Sequence, residues 1–171
     1  FKTTAVSSSP FLLGLKLMSI LLVDCSPTTV FTVGNDDSVN NSGRNFIAYV
    51  FTEKKGYSKI SSYVGNGNAN GPFVYCGFRP KFILIKNASS SGQLWEMFDT
   101  QRIGYNDKNW RIYTNENNSE DTSAVRLDIL SNGFKIKTTG SHVNTNGQTM
   151  VFWAFAEHPL VGTNNVPTVA R

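Results

Sequence analysis

Downstream of residue 27 the chain is a succession of short β-branched and aromatic runs, each bounded by Gly, Asn, Asp or Pro. That punctuation, with runs recurring every 8–12 residues or so, is the signature of an all-β protein. Alternation is clear in Phe82-Ile83-Leu84-Ile85-Lys86 and in Phe134-Lys135-Ile136-Lys137, where Phe134 and Ile136 face one way and the lysines the other. The pattern predicts strands over Thr28–Val33, Asn45–Glu53, Tyr57–Val64, Pro72–Tyr75, Lys81–Lys86, Gln93–Phe98, Trp110–Tyr113, Val125–Leu130, Phe134–Thr138 and Thr149–Ala156. Ser131-Asn132-Gly133 joins two of them and is the strongest hairpin signal, because Asn-Gly supplies positive φ at little cost. The remaining connections are long and polar: Asn35–Arg44, Gly65–Gly71, Asn87–Gly92, Thr100–Asn109, Asn115–Ser123 and Thr139–Gln148. Together these features predict an all-β fold, an antiparallel β-sandwich of jelly-roll or lectin-like kind. No segment outside Phe11–Val23 shows helical periodicity.

One stretch of this pattern occurs twice. Asn45-Phe46-Ile47-Ala48-Tyr49-Val50-Phe51-Thr52-Glu53 returns 104 positions later as Thr149-Met150-Val151-Phe152-Trp153-Ala154-Phe155-Ala156-Glu157. Upstream, without a gap, Val39 falls on Val143, Asn40 on Asn144 and Gly43 on Gly147; with one inserted residue Phe31 falls on Phe134. A period of this length belongs to a domain-sized module rather than to a short solenoid repeat. It divides the chain into residues 1–56, the C-terminal part of a preceding and incomplete repeat, and residues 57–171, a complete sandwich module. Gly162–Arg171 is expected to be an extended tail. A single domain that recruits the early strands is the alternative.

Composition narrows the surroundings. Charged residues make up 16% of the 171-residue chain and the net charge is +4, so Asn, Ser, Thr and Gly must cover much of the surface. Lys and Arg are scattered, which argues against nucleic acid as a partner. The apolar stretch Phe11–Val23 carries Gly14 and Lys16 and is too short to span a bilayer. Neither a basic flank nor a small-residue cleavage site marks it as a signal peptide. One or two buried strands are expected there, with a helix over Leu12–Leu22 as the alternative. The two cysteines, Cys25 and Cys76, are too few and too far apart for a disulfide framework or a zinc site and read as buried thiols. His142 and His158 lack metal-ligand spacing, so no metal or cofactor is expected.

Motifs for catalysis are weak. Gly65-Asn66-Gly67-Asn68-Ala69-Asn70-Gly71 is followed by strand-like Pro72-Phe73-Val74-Tyr75, whereas phosphate-binding glycine loops open a helix. Asp36-Asp37 and Asn106-Asp107 read as turn caps rather than as a calcium loop. Glu53, Glu96 and Glu157 form no pair that the sequence can place across a cleft, and there is no Gly-x-Ser-x-Gly elbow. Glu53 and Glu157 end equivalent strands, as a carboxylate does when it caps backbone N–H groups. The triplets at Asn40, Asn87 and Asn117 would matter only in a eukaryotic secretory setting. The aromatics around one loop carry more promise. Tyr105, Trp110 and Tyr113 stand beside Asn106 and Asn109, a set in which rings can stack on sugars and amides can bond hydroxyls. For Trp110, as for Trp95, a place in the sandwich core competes with that role.

Several separated motifs, in order, carry a resemblance. They are Gly56-Tyr57-Ser58-Lys59-Ile60, Ser62-Tyr63-Val64-Gly65-Asn66-Gly67, Phe73-Val74-Tyr75-Cys76-Gly77-Phe78-Arg79-Pro80 and Phe82-Ile83-Leu84-Ile85-Lys86. Phe98-Asp99-Thr100 with Arg102, Leu130-Ser131-Asn132-Gly133-Phe134, Ala154-Phe155-Ala156-Glu157-His158-Pro159-Leu160 and Val166-Pro167-Thr168-Val169-Ala170-Arg171 continue the series. Over residues 28–171 the chain resembles a module of tail-fibre-like and other virion proteins of marine bacteriophages; residues 1–27 match it poorly. The resemblance implies a non-enzymatic structural protein located in the virion, with other virion proteins as partners and modules often in tandem. No catalytic or binding residue is carried over from it. Attachment to a host-surface glycan or protein is the first expectation, a capsid decoration protein the second and a carbohydrate-active depolymerase the third. Fibre proteins commonly trimerise to cover sheet faces and edges, so a homotrimer is the favoured assembly.

Overall fold

Eight strands of this chain build two antiparallel sheets that share one apolar interior. In the computed structural model, residues 4–5, 21–22, 33–34, 36–102, 106, 109–123 and 125–159 are described. The chain divides into two compact units, Phe1–Thr52 and Glu53–Arg171.

In the first unit, β1 (Thr4–Ala5) pairs antiparallel with β2 (Leu21–Leu22), and a single helical turn, α1 (Asp37–Asn40), follows. The rest of Phe11–Val23 lies outside the described residues, as does the strand expected over Thr28–Val33 except for Val33. The strand expected over Asn45–Glu53 is not formed: no ladder includes residues 44–53 among the described residues. A strand is defined by the ladder it joins, and apolar alternation alone does not supply one.

In the second unit, β3 (Ser58–Val64), β5 (Pro80–Asn87), β6 (Glu96–Asp99), β7 (Ile112–Tyr113) and β10 (Thr149–Ala156) form a five-stranded sheet in the order β3-β10-β5-β6-β7. The facing sheet has the order β4-β9-β8, from β4 (Phe73–Tyr75), β8 (Leu127–Leu130) and β9 (Gly133–Ile136). The all-β antiparallel sandwich expected from the alternation is therefore the fold. A helical turn, α2 (Ser141–Asn144), lies in the last long connection. The sequence pattern predicts loop for α1 and α2, because four residues are about one turn, too short to show a helical period.

The period of two decides which residues meet. From β10, Met150, Phe152, Ala154 and Ala156 enter the core, and from β5 Ile83 and Ile85 join them. The opposing sheet contributes Leu127, Ile129, Phe134, Ile136 and Val74. Phe134 meets Phe152 edge-on at 5.2 Å between centroids and Tyr63 at 6.0 Å, so three rings stitch the two sheets together. The Tyr63 hydroxyl donates to the Val143 carbonyl at 2.7 Å, and burial holds its pKa well above the usual phenol range. Cys76 is buried and unbridged, with its thiol pushed up to about 12 by burial; Cys25 is outside the described residues.

The hairpin at Ser131-Asn132-Gly133 forms, but its glycine has a different purpose from the one expected. Leu130 pairs with Gly133, so Ser131 and Asn132 are the loop, and Gly133 is absent from the positive-φ residues. A Cβ on Gly133 would lie 2.0 Å from the Val74 carbonyl oxygen. The glycine admits β4 against β9, where Cys76 and Gly77 both donate to the Asn132 carbonyl.

Candidate functional site

The buried charges of the second unit, Glu96 and Arg111, lie in β6 and immediately before β7. In β6, Glu96 and Phe98 share the inward face and Met97 and Asp99 the other, so alternation drives a carboxylate to complete burial. The fold answers with arginines. Arg111, immediately before β7, donates from Nη1 to Glu96 Oε1 at 3.1 Å and from Nη2 to Asp121 Oδ2 at 2.5 Å. Arg126 brings its Nε to 3.9 Å from Glu96 Oε2 and bonds Thr138 Oγ1 at 3.1 Å. Burial pushes the Glu96 carboxyl up against the pull of Arg111, while Arg111, which burial alone would lower, is held up by Glu96. The two directions describe one coupled pair whose charges persist because each faces the other.

A second arginine clamp lies in the next connection. Arg102 Nε donates to Asp99 Oδ2 at 2.6 Å, and its Nη1 bonds Glu120 Oε1. Asp99 Oδ1 also accepts the Gln101 and Arg102 backbone N–H groups at 2.8 and 2.9 Å. Partial burial works against the Asp99 carboxylate, but the donors of Arg102 and Gln101 win and lower its pKa. Asp121 is lowered as well, first by the Ser123 N–H and hydroxyl and then by Arg111. Arg111 and Asp121 exchange backbone hydrogen bonds at 3.0 and 3.1 Å, closing the loop between them. The two arginines thereby tie residues 99–123 to the sheet at both ends.

Of the residues singled out as glycan contacts, Tyr105 is outside the described residues. Asn106 has φ of 67° and uses its amide as a strand surrogate, accepting from Ile129 N at 2.5 Å and donating to Ile129 O at 2.9 Å. Asn109 is buried, and its Oδ1 accepts both the Arg126 and Leu127 N–H groups, at 2.5 and 2.8 Å. These two amides pair with the edge of β8, Asn109 from a buried position and Asn106 from an exposed one. Trp110 is half-buried. Tyr113 is half-buried too, with the Arg111 guanidinium 5.0 Å from its ring centroid and His142 edge-on at 6.1 Å. Along an extended chain Arg111 and Tyr113 share one face and Trp110 the other, so the two aromatics do not form one platform.

The sequence reading passed over other residues. Phe73 and Tyr75 share the outer face of edge strand β4 and are 47% and 63% exposed, with Val74 turned inward between them. Strict alternation in a three-residue strand was the signal for that pair. Asn144 was overlooked as well. It is fully buried and takes the Asn66 N–H at 2.9 Å on its oxygen. Its Nδ2 donates to Asn66 Oδ1, Asn68 O and Thr138 O at 3.2, 2.8 and 2.6 Å. The Gly65–Gly71 loop is thereby latched by Asn144. Asn87 is buried, bonded to Ser141 O and Gln148 Oε1 at 3.1 and 2.7 Å, so its Asn-x-Ser triplet serves the fold.

Among the described residues no cluster of His, Cys, Asp and Glu would hold a metal ion, and no helix is long and apolar enough to cross a membrane. A family described as a domain of unknown function, DUF7483, matches residues 16–159. The chain belongs to this family. No curated protein and no solved structure matches the DUF7483 chain. The family match spans both units, so the duplicated segment before Glu53 and the sandwich after it lie within one family region.

Proposed function

We propose that this protein is a non-enzymatic structural module of a phage particle, of tail-fibre or adhesin type, that presents loops and edge aromatics to a host-surface glycan or protein. The ordered motifs between residues 28 and 171 support the virion reading. The observation that carries the contact reading is the anchoring of residues 99–123. Asp99, Glu120, Glu96 and Asp121 are spent on Arg102 and Arg111, so the acids serve as anchors for a presented loop on a rigid sandwich. Trp110 and the Phe73/Tyr75 pair are among the aromatic surfaces available to a sugar ring or an apolar partner.

Binding of the full chain to host cells, to host surface polysaccharide and to a glycan array tests this. Trp110→Ala or Tyr75→Ala should weaken binding at least roughly tenfold, about 1.4 kcal/mol, with the melting temperature kept. Release of reducing ends from the polysaccharide would sink the non-enzymatic reading. Binding confined to other particle proteins would sink host attachment in favour of a decoration role. Light scattering on the same samples tests the homotrimer.

A further inference from the structure

Strand β4 ends its sheet, and the bonds at its two ends fix the phase of its ladder. Ile136 N donates to Pro72 O at 3.0 Å, and Cys76 N donates to Asn132 O at 2.9 Å. In the register that pairs Phe73 with Lys135, Val74 with Phe134 and Tyr75 with Gly133, those bonds belong to the even-numbered residues of the strand. Antiparallel ladders alternate hydrogen-bonded and non-bonded pairs. Val74 therefore turns its backbone to β9, while Phe73 and Tyr75 turn their N–H and C=O groups away from it. The same two residues stand on the outer face, 47% and 63% exposed, with Val74 at 6% between them. One short stretch thus offers backbone donors, backbone acceptors and two rings on the same side of the molecule.

The other edges of the sandwich are occupied or charged. Beside β7, Arg111 and Asp121 exchange backbone hydrogen bonds, and Asn106 and Asn109 pair with the edge of β8. Edge strand β3 carries Lys59, whose amine binds Glu53. Cover and charge are the usual devices that keep sheet edges from meeting. Along β4 the sequence supplies no such charge: Asn70–Phe78 contains no Asp, Glu, Lys or Arg. Lys135, opposite Phe73, commits its amine to the Gly71 carbonyl at 2.9 Å. Among the described residues no hydrogen bond reaches the Phe73 or Tyr75 backbone from the outer side.

We propose that β4 is a self-association edge, where two copies of this chain pair antiparallel about a two-fold axis through Val74. Phe73 of each copy then opposes Tyr75 of the other, and both are hydrogen-bonded pairs that exchange N–H and C=O groups. Ring faces ring across the junction, and the three-stranded sheets of the two copies become continuous. A second copy is the occupant because the edge complements itself: one two-fold sets donors on acceptors and rings on rings, and brings no charge of β4 against its own image. A contact of three residues a side falls far short of the ~800 Å² per partner of a standard interface, so the affinity belongs in the ~0.1–1 mM range. It gains weight where copies are held close together. An isologous contact joins copies in pairs and is separate from any three-fold assembly. The inference does not depend on the proposed function.

Sedimentation equilibrium on the full chain reads the contact. Between about 10 µM and about 1 mM the average mass should rise toward twice its dilute value. The double variant Phe73→Lys/Tyr75→Lys sets like charge on like charge and should weaken association at least ~tenfold. Phe73→Lys/Tyr75→Glu should associate at least ~tenfold more tightly than that variant, because position 73 meets position 75 of the other copy in the antiparallel register. Both pairs of substitutions fall on exposed positions and should keep the parent's melting temperature. Amide exchange on the parent decides the matter without any variant: the Phe73 and Tyr75 amides should slow at least ~fivefold from dilute to concentrated solution, and those of β7 should not. A mass that stays constant up to about 1 mM overturns the proposal, and so do double variants that associate equally. A mass increase that leaves the Phe73 and Tyr75 amides fast overturns it in favour of another surface.

Discussion

At the scale of single residues, the costliest choice in this protein is Glu96. Its carboxylate is fully buried beside Phe98, and Arg111 is the cation 3.1 Å away that makes this tolerable. Removing one member of a buried pair strands the other, at a cost of about 3–5 kcal/mol. Arg111→Met should therefore destabilise by about that much at pH 7 in a denaturant titration. The Glu96 pKa is already raised by burial, and without Arg111 it rises further. A raised carboxyl pKa is a penalty present above the folded-state value and relieved as pH falls through it. The gap between Arg111→Met and the parent should accordingly narrow as pH falls from 7 toward the ordinary carboxyl value of 4.5. A gap that does not change with pH would show that Glu96 is not the group left stranded.

At the scale of elements, the packing of β4 on β9 depends on Gly133. An alanine methyl there would sit 2.0 Å from the Val74 carbonyl oxygen, and the contact is backbone, which has nowhere to go. Gly133→Ala should cost at least about 3 kcal/mol and expose Phe134 to quenchers, whereas Gly34→Ala, in open space and without a positive φ, should cost far less. Equal effects would contradict the close-approach argument. The strands themselves were legible in the sequence: Pro80–Asn87, Phe73–Tyr75 and Thr149–Ala156 fall where alternation and Gly/Asn punctuation put them. The reason for Gly133 was not legible, because a cross-strand approach depends on a strand nearly 60 positions away. Asn106 and Asn109 look in sequence like loop amides open to ligands, yet they bond Ile129, Arg126 and Leu127 across 17 to 23 positions. Glu96 did carry a signal, since an acid two residues from Phe98 in a strand must face inward; its partner Arg111 could be found only in three dimensions.

At the scale of the whole molecule, the second unit is a sandwich whose loops are tied down by charge. Asp99 and Asp121 have lowered pKa values, Asp99 because its Arg102 and Gln101 donors outweigh burial and Asp121 chiefly through Ser123. A lowered carboxyl pKa adds stability that is present above the unfolded value, 3.8, and is lost as pH falls below it. Acid unfolding monitored by tryptophan fluorescence should therefore steepen below about pH 4. Asp99→Asn should lower the melting point at pH 7, and that difference should shrink as pH falls below 3.8; a difference independent of pH would assign the effect to something other than the Arg102 clamp.

The account turns on one segment being written twice, once in a ladder paired on both sides and once in no ladder among the described residues. Residue-resolved amide exchange on the 171-residue chain reads both copies at once. Thr149–Ala156, paired on both sides, should exchange near the rate set by global unfolding, and Asn45–Thr52 should exchange orders of magnitude faster. Equal protection of the two segments in the monomer would contradict it.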